Sequence, residues 1–429
     1  MKRFWSVTYD IVIIPLLWLA LQILGMFNEK ARRGIRGRDR LFEDLAVQIS
    51  RLPRGRRVWF HSSSMGEFEQ AKPIIAELKR RHPETLVLVS FFSPSGYEHS
   101  RRYAPADVIT YIPFDTRRNA RRFLDLLRPD VAVMVRYDVW PNHIWELRRR
   151  NIPVLIANAT MRDHTRRRLP FVRSFHNFMY NAVDEILTVA ESDAEAFRRF
   201  SLDHPLILAI GDTRYDQVSI RSAEARRRRI LPQQITEGKQ CVVIGSSWPE
   251  DEEVVLPAML EILRDVDRTL FIVVPHEPTE DRLEALEREL DGKASHLRFS
   301  ALNEYSGERV LLVDSVGILL ILYACAHIAY VGGSFRQGIH NVLEAAVYGI
   351  PVLFGPKHHN SNEPLMLAER GGAFVINDSQ DFSRTVKHLL EDEGARKSAG
   401  QCAAMFVQAN IGATSRFLEH LEQRLPPVG

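Results

Sequence analysis

Cysteine is scarce: Cys241, Cys325 and Cys402 are the only three in 429 residues, and they lie far apart in apolar or helical contexts. Such spacing makes neither a disulfide framework nor a thiolate metal-ligand set, and it fits a reducing compartment. The chain also lacks a CxxC pair, a Walker loop, a dinucleotide fingerprint and a Ser-His-Asp spacing, each of which would have carried a specific chemistry. No internal repeat and no low-complexity tract is present. An excess of one charge is missing too, since 57 Lys and Arg face 54 Asp and Glu for a net charge of +3. The arginine runs at 117–122, 148–150 and 166–168 have no interleaved aromatics, so no nucleic-acid partner is expected. They read as solvated faces, some of them suited to anionic lipid. Asp265-Val266-Asp267 precedes a strand instead of following one, and His358-His359-Asn360 is not a convincing ligand set, so no metal site is expected either.

Long hydrophobic runs are absent except for one. Residues 11–27 are almost uniformly apolar, with Gln22 as the strongly polar exception, and Trp5 to Tyr9 extend the run toward the ~20 residues that span a bilayer. Pro15 inside it is tolerated in a membrane helix. No small-residue cleavage site follows, which argues against a removed signal peptide. Lys2 and Arg3 precede the run, whereas Lys30, Arg32, Arg33, Arg36, Arg38 and Arg40 follow it. The basic flank predicts that the body stays cytoplasmic. We assign 1–28 as a membrane anchor that spans the bilayer or lies in its interface; a buried core helix is the alternative.

The length is too great for one core, so two domains are expected. Apolar strand candidates at 57–61, 86–91, 108–112, 131–135, 154–157, 185–190 and 206–210 alternate with helical stretches. A second series follows at 241–244, 270–274, 310–313, 328–331, 352–354 and 374–376, with a helical tail from Ser379. Alternation of this kind predicts α/β domains with parallel sheets and crossover helices. The expected division is an N-terminal domain over 29–216, a linker over 217–240 that includes the arginine-rich 221–229, and a C-terminal domain over 241–429. Ligands in open α/β sheets sit at the carboxyl ends of strands.

Two glycine-containing turns fall at such ends. Gly332-Gly333-Ser334-Phe335-Arg336-Gln337-Gly338 links a buried strand to a helix expected over 341–348. Its glycines would let backbone N–H groups approach an anion, and the helix start would add positive potential. His340, Asn341 and Glu344 share one helix face by spacing, which suits a phosphate and a ribose diol. The other turn, Ser62-Ser63-Ser64-Met65-Gly66-Glu67, opens an amphipathic helix to about Arg81. Glu67 has two readings: a helix-start carboxylate favoured by the dipole, or a base facing the cleft, with Gly66 leaving room for a substrate. Arg136-Tyr137-Asp138-Val139-Trp140-Pro141-Asn142 also follows a strand, with Asp138 and Asn142 as possible caps around Pro141. Arg214, within Gly211-Asp212-Thr213-Arg214, is either a surface cation or a bidentate partner for an anion. Asp314-Ser315-Val316-Gly317-Ile318 is a turn that either meets a base edge or caps the next helix.

Taken in order along nearly the whole chain, these motifs resemble the Kdo (3-deoxy-D-manno-octulosonic acid) transferases of lipopolysaccharide synthesis. The resemblance runs through the anchor, Trp59-Phe60-His61 with Ser62 to Glu67, Trp140-Pro141-Asn142, 211–216, 314–317, Gly332-Gly333-Ser334, and His340-Asn341-Val342-Leu343-Glu344. It implies a GT-B fold, with two Rossmann-like domains facing a cleft behind an N-terminal anchor helix. It also implies transfer of Kdo from CMP-Kdo to the lipid A precursor, with inversion and with no cofactor or metal in the chemical step. By the same resemblance Glu67 is the general base and Asp138 and Arg214 support the transition state. Ser64 and Gly66 lie on the acceptor side. CMP-Kdo is held by Val316, Gly317 and Ile318, by Ser334, by His340, Asn341, Val342, Leu343 and Glu344, and by the stretch containing His276 and Glu277. The implied location is the cytoplasmic face of the inner membrane. Three departures mark a divergent branch. Pro275-His276-Glu277-Pro278 lacks the family's arginine, Arg136-Tyr137-Asp138 replaces Glu-Thr-Glu, and Arg214 replaces a lysine, which alters how an anion is met. The alternative enzyme is another GT-B transferase that moves a UDP-sugar onto a lipid, and the alternative outside enzymes is a basic, membrane-anchored scaffold.

Overall fold

Continuous apolar runs bounded by polar turns make strands that are buried on both faces, as parallel sheets require. In the computed structural model there are two such sheets. It describes residues 2–427 apart from 137, 162–169, 201 and 360. Tyr137, Asn360 and the arginine run at 166–168 therefore lie outside the described residues. The first sheet contains β1 (Arg57–Ser62), β2 (Leu86–Phe91), β3 (Val108–Tyr111), β4 (Val131–Val135), β5 (Val154–Ala159), β6 (Glu185–Thr188) and β7 (Leu206–Ala209). Its order is β3-β2-β1-β4-β5-β6-β7, with every pair parallel. The second sheet contains β8 (Gln240–Ser247), β9 (Thr269–Pro275), β10 (His296–Arg298), β11 (Val310–Leu312), β12 (Ile328–Val331), β13 (Val352–Phe354) and β14 (Ala373–Val375). Its order is β10-β11-β9-β8-β12-β13-β14, again all parallel.

Thirteen of these strands coincide with the sequence expectation to within a few residues. The exception, β10, is a half-buried edge strand with the sequence His-Leu-Arg. A single leucine carries no periodicity, so the pairing with β11 makes the strand rather than any local propensity.

The chain divides into two compact units, Met1–Gln217 with Ile411–Gly429, and Val218–Asn410. The C-terminal domain expected over 241–429 thus loses its last helix, Ala413–Arg424, to the first unit. Phe417, Leu418 and Leu421 of that helix are buried with Phe68, Ile75 and Val87. The Asp216 carboxylate fixes its start by accepting the N–H groups of Gly412 (2.8 Å) and Thr414 (3.1 Å). An amphipathic pattern announces an apolar face but not which surface will cover it. The expected linker at 217–240 also begins differently, because the division falls inside the helix Thr213–Ala225.

The N-terminal run is helical from Lys2 to Phe27, with a π-helical turn over Tyr9–Ile13. The segment Phe4–Phe27 is long and apolar enough to cross a membrane. One side of it is docked: Trp5, Tyr9 and Ile14 are buried, and Trp5 Nε1 donates to Ser174 Oγ at 2.9 Å. The other side exposes Ile11, Leu16, Leu17, Leu19, Leu24 and Phe27. Asp10, a charge inside the apolar run, is paired with Arg117 and accepts the Asn142 side-chain N–H at 2.8 Å.

Candidate active site

Each sheet has one place where the strand order reverses, and crevices of open α/β sheets form there. In the first sheet it lies between β1 and β4. The ends of these two strands and the segments leaving them carry His61, Ser64, Gly66 and Glu67 on one side, and Asp138 and Trp140 on the other. β1 passes directly into the helix Met65–Arg81, where Ser64 is the N-cap and its hydroxyl accepts the Glu67 N–H at 3.4 Å. The Glu67 carboxylate reaches back, and Oε2 accepts the Ser63 N–H at 2.6 Å. The helix-start role read from the sequence is therefore real. It occupies one oxygen, and among the described residues Oε1 has no hydrogen-bond partner.

Glu67 is buried, and its carboxyl titrates above the usual value. Desolvation is the main cause and the nearby negative charge of Asp138 the second. The Ser63 N–H, His61 and Arg136 pull the other way. A proton acceptor held above its solution basicity suits general-base work. Gly66 is exposed, and a Cβ built on it would meet no atom within 4 Å. Nothing in the packing demands glycine at this position.

His61, absent from the site read from the sequence, links the two segments. It is fully buried, with Nε2 2.8 Å from Asp138 Oδ2 and Nδ1 2.8 Å from Ser90 Oγ. Trp59 Nε1 can only donate, so Ser90 Oγ accepts it at 2.8 Å and has one hydroxyl hydrogen to give to Nδ1. Nε2 then carries the imidazole proton toward Asp138. Trp140 Nε1 lies 3.1 Å from His61 Nε2 and 3.3 Å from Asp138 Oδ2. A protonated Nε2 cannot accept, so the indole donates to the carboxylate, which takes both hydrogen bonds. Asp138 is thereby fixed where its negative charge acts on Glu67. The turn that brings it there is strained at Arg136, a non-glycine residue with φ of 64°. A histidine inside a strand gives no periodic signal; the available clue was its place in the run Trp59 to Glu67, just before the helix.

Other expected residues have different places. Asn142 is not a cap: Trp140 occupies that position without a side-chain bond. The Asn142 side chain instead donates to Asp10 and to the Asp115 carbonyl, and so ties the N-terminal helix to this unit. Arg214 starts the helix Thr213–Ala225 and is held by Asp212, whose Oδ2 accepts Nε at 2.8 Å and Nη2 at 2.6 Å. The Thr213 hydroxyl donates to the Gln70 carbonyl at 2.7 Å, which seats this turn on the helix that carries Glu67.

In the second sheet the order reverses between β8 and β12. β12 ends at the glycine turn, and two of its glycines are required. A Cβ on Gly332 would lie 2.3 Å from the Ser246 carbonyl oxygen. Gly333 has φ of 88° and would crowd the Gly338 carbonyl and the His340 ring. Asp251, which the sequence reading missed, anchors the turn from the helix after β8. It is buried and accepts the N–H groups of Gly333 (2.7 Å) and Trp248 (2.9 Å) and the Tyr330 hydroxyl (2.8 Å).

Here the structure corrects three expectations. The helix expected over 341–348 is a single turn, Leu343–Ala346, because Asn341 caps Leu343 from outside and Gly349 ends the segment at φ of 72°. A one-turn helix sums few peptide dipoles, so the argument from a helix-start field loses its force. His340 precedes that turn and does not share its face; its ring meets Trp248 and His276 instead. Ser334 is fully buried, and its hydroxyl accepts the Gly355 N–H at 2.6 Å, which spends it inside the fold.

Val342 and Leu343 are buried, and Asn341 is exposed. Glu344 is half-buried, with Arg221 3.5 Å away. Val316 is 78% exposed, Gly317 has φ of 79° with open space at its Cβ position, and Ile318 begins the next helix, so this turn presents backbone to solvent. His276 and Glu277 are exposed at the end of β9.

A family model described as 3-deoxy-D-manno-octulosonic-acid transferase (kdotransferase) matches residues 35–217 and ends where the first unit's main segment ends. The 3-deoxy-D-manno-octulosonic acid transferase of Haemophilus influenzae is 26% identical over 435 residues, 99% of this chain and 99% of its own. That of Chlamydophila psittaci is 27% identical over 377 residues, 86% of each chain. The chain is a divergent relative of the Kdo transferases. Among solved structures, the UDP-GlcNAc 2-epimerase of Neisseria meningitidis, bound to UDP-GlcNAc, aligns over 86% of this chain and all of its own. Its TM-score is 0.60 at 15% identity, which is a likeness of fold. The two parallel α/β units are thus of the GT-B kind.

Proposed function

We propose that the chain transfers Kdo from CMP-Kdo to a hydroxyl of the lipid A precursor, at the cytoplasmic face of the inner membrane, where Phe4–Phe27 anchors it. The observation that carries this reading is the relationship to a Kdo transferase along 99% of both chains. Glu67 Oε1 accepts the acceptor hydroxyl's proton as the oxygen attacks the anomeric carbon. The bond to the phosphate of CMP breaks on the opposite side, CMP leaves with the electron pair, and the configuration inverts. Asp138, fixed by His61 and Trp140, keeps the base strong, and Arg214 stabilises the anionic donor. The nucleotide belongs to the second unit, at 316–318 and 341–344. Incubating the protein with CMP-Kdo and the lipid A precursor should give a product heavier by one or more Kdo residues. Protection from thermal unfolding by a UDP-sugar and not by CMP would favour the UDP-sugar reading and overturn this one.

Two substitutions test the two units separately. Gly66→Ala should leave stability unchanged or raise it by up to ~1 kcal/mol, since alanine is the better helix former. If the acceptor passes over this position, turnover should fall by up to about 10²-fold through displaced substrate. A variant with normal turnover would take Gly66 out of the acceptor path. Glu344→Ala should weaken CMP binding by about 10- to 150-fold in calorimetry, the loss of a hydrogen bond to a charged group. Unchanged affinity in the folded variant would move the ribose contact elsewhere.

A further inference from the structure

At about 36 Å, the apolar helix Phe4–Phe27 has the length to cross a hydrocarbon layer of ~30 Å. A crossing helix has its two ends on opposite sides of that layer. Here both ends are held by the same unit.

Side chains of the body hold the beginning. Trp5 donates to Ser174 Oγ at 2.9 Å and packs edge-on against Phe171 and Phe175, with ring centroids 4.5 and 5.6 Å away. One turn later the Tyr9 hydroxyl donates to Asp115 at 2.7 Å, and Asp10 is held by Arg117 and Asn142. Ile14, another turn on, is buried. A reversal holds the end. Asn28 leaves the helix with extended backbone, φ of −123°, and its side chain caps the next helix, Glu29–Arg36, by accepting the Ala31 N–H at 3.1 Å. That helix doubles back on the first: Gly25 is buried, and a Cβ on it would lie 2.7 Å from Ile35 Cδ1. Its other side meets the body, where a Cβ on Gly34 would lie 3.2 Å from Pro94 Cγ. Arg38 then fastens the chain by donating to the carbonyls of Ile112 (2.9 Å) and Phe92 (2.7 Å).

Between Ile14 and Gly25 run about ten residues, roughly 15 Å of helix, which is half the thickness of the layer. Pro15 to Ala20 are exposed in succession and apolar, so this stretch is suited to immersion on every side. The returning helix is of the opposite character, with Arg32, Arg33 and Arg36 exposed, and Arg33 shared with Glu98 at 3.2 Å. We propose that the N-terminal helix does not cross the membrane: with Glu29–Arg36 it forms a hairpin seated in a single leaflet, with Pro15 to Leu24 among the acyl chains and Arg32 and Arg36 at the phosphates of anionic lipid. This rests on the reading of Phe4–Phe27 as a membrane anchor and is independent of which sugar the protein transfers. The start of the helix then lies on the same side of the membrane as the body. A crossing would first have to undo the contacts of Trp5, Tyr9 and Asp10 and leave the buried Asp115 without the Tyr9 hydroxyl. Arginines near the leaflet surface reach the phosphates with long side chains, and each adds to the attraction.

The test uses the full chain in cells, with one protease-cleavable tag ahead of Met1 and another after Gly429. Added protease should remove both tags in inverted inner-membrane vesicles and neither in intact spheroplasts. Removal of the N-terminal tag from outside the spheroplasts, with the C-terminal tag protected, overturns the hairpin and shows a crossing helix. A protein that stays in the soluble fraction overturns the anchor reading itself. The second arm uses purified protein and vesicles of phosphatidylcholine with or without phosphatidylglycerol. Arg32→Gln combined with Arg36→Gln should lower binding to the anionic vesicles by roughly 10- to 30-fold, about fivefold per arginine, and change binding to the neutral ones by no more than about twofold. Equal binding of variant and wild type to the anionic vesicles overturns the phosphate contact. An equal loss on both kinds of vesicle also overturns it, since it reports a distorted hairpin and not a lost charge.

Discussion

Glu67→Gln is expected to lower turnover by about 10²–10⁴-fold, with CMP affinity and melting temperature little changed. The substitution keeps the shape and the acceptor oxygen that the Ser63 N–H needs, and removes only the capacity to take a proton. A base acts mainly in the transition state, so kcat should carry the loss. A carboxylate that served only the helix start would give the reverse pattern: a stability loss of ~0.3–1 kcal/mol and near-normal turnover. Near-normal turnover would pass the role to Asp138. The pH profile supplies a second check. Catalysis needs the ionised form, so kcat should rise with pH through the carboxyl's titration, on a limb displaced upward from the usual 4.5 by burial and by Asp138. Asp138→Asn removes the second of these causes and should move the limb to lower pH, whereas Glu67→Gln should abolish it.

Asp115→Ala is expected to destabilise the first unit by about 3–5 kcal/mol, read from urea unfolding. Asp115 is fully buried and collects the Tyr9 hydroxyl (2.7 Å), the N–H groups of Asn142 (3.0 Å) and His143 (3.1 Å), and His143 Nδ1 (2.6 Å). Removing it leaves several buried groups without partners at once, a large part of a typical domain stability of ~5–15 kcal/mol. Tyr9→Phe deletes one of these bonds and should cost about 1.5–3 kcal/mol. The same contacts change what truncation means. Deleting residues 1–28 should release the protein from membranes, and it should also lower the stability of the first unit, because Trp5, Tyr9 and Asp10 leave with the anchor. A truncated protein that unfolds at the same urea concentration as the full chain would show that the docked side of this helix contributes nothing.

Much of this was legible before any coordinates. Apolar strands buried on both faces announce themselves by composition, and the alternation of strand and helix implied two parallel sheets. The glycines at 332 and 333 marked a tight turn at a strand end, and Glu67 stood at a helix start beside Gly66. What the linear pattern does not contain is strand order, because sheet neighbours are chosen by packing over the whole unit. Only that order puts the ends of β1 and β4 together, and so brings His61 and Asp138 beside Glu67. It likewise puts Trp248, His276 and His340 in one stack from three separate strands. Short-range spacing misled where it assumed a regular helix: the i, i+4 relation of His340 and Glu344 has no meaning when the helix begins at Leu343. The last helix shows the same limit at long range. The tail read as helical in the sequence, but the partner of its last helix, the helix Met65–Arg81, lies more than three hundred residues earlier in the chain. Local sequence determined the elements and the chemistry each one carries. Tertiary packing alone decided which of them meet, because burial free energy depends on the matching of surfaces and not on distance along the chain.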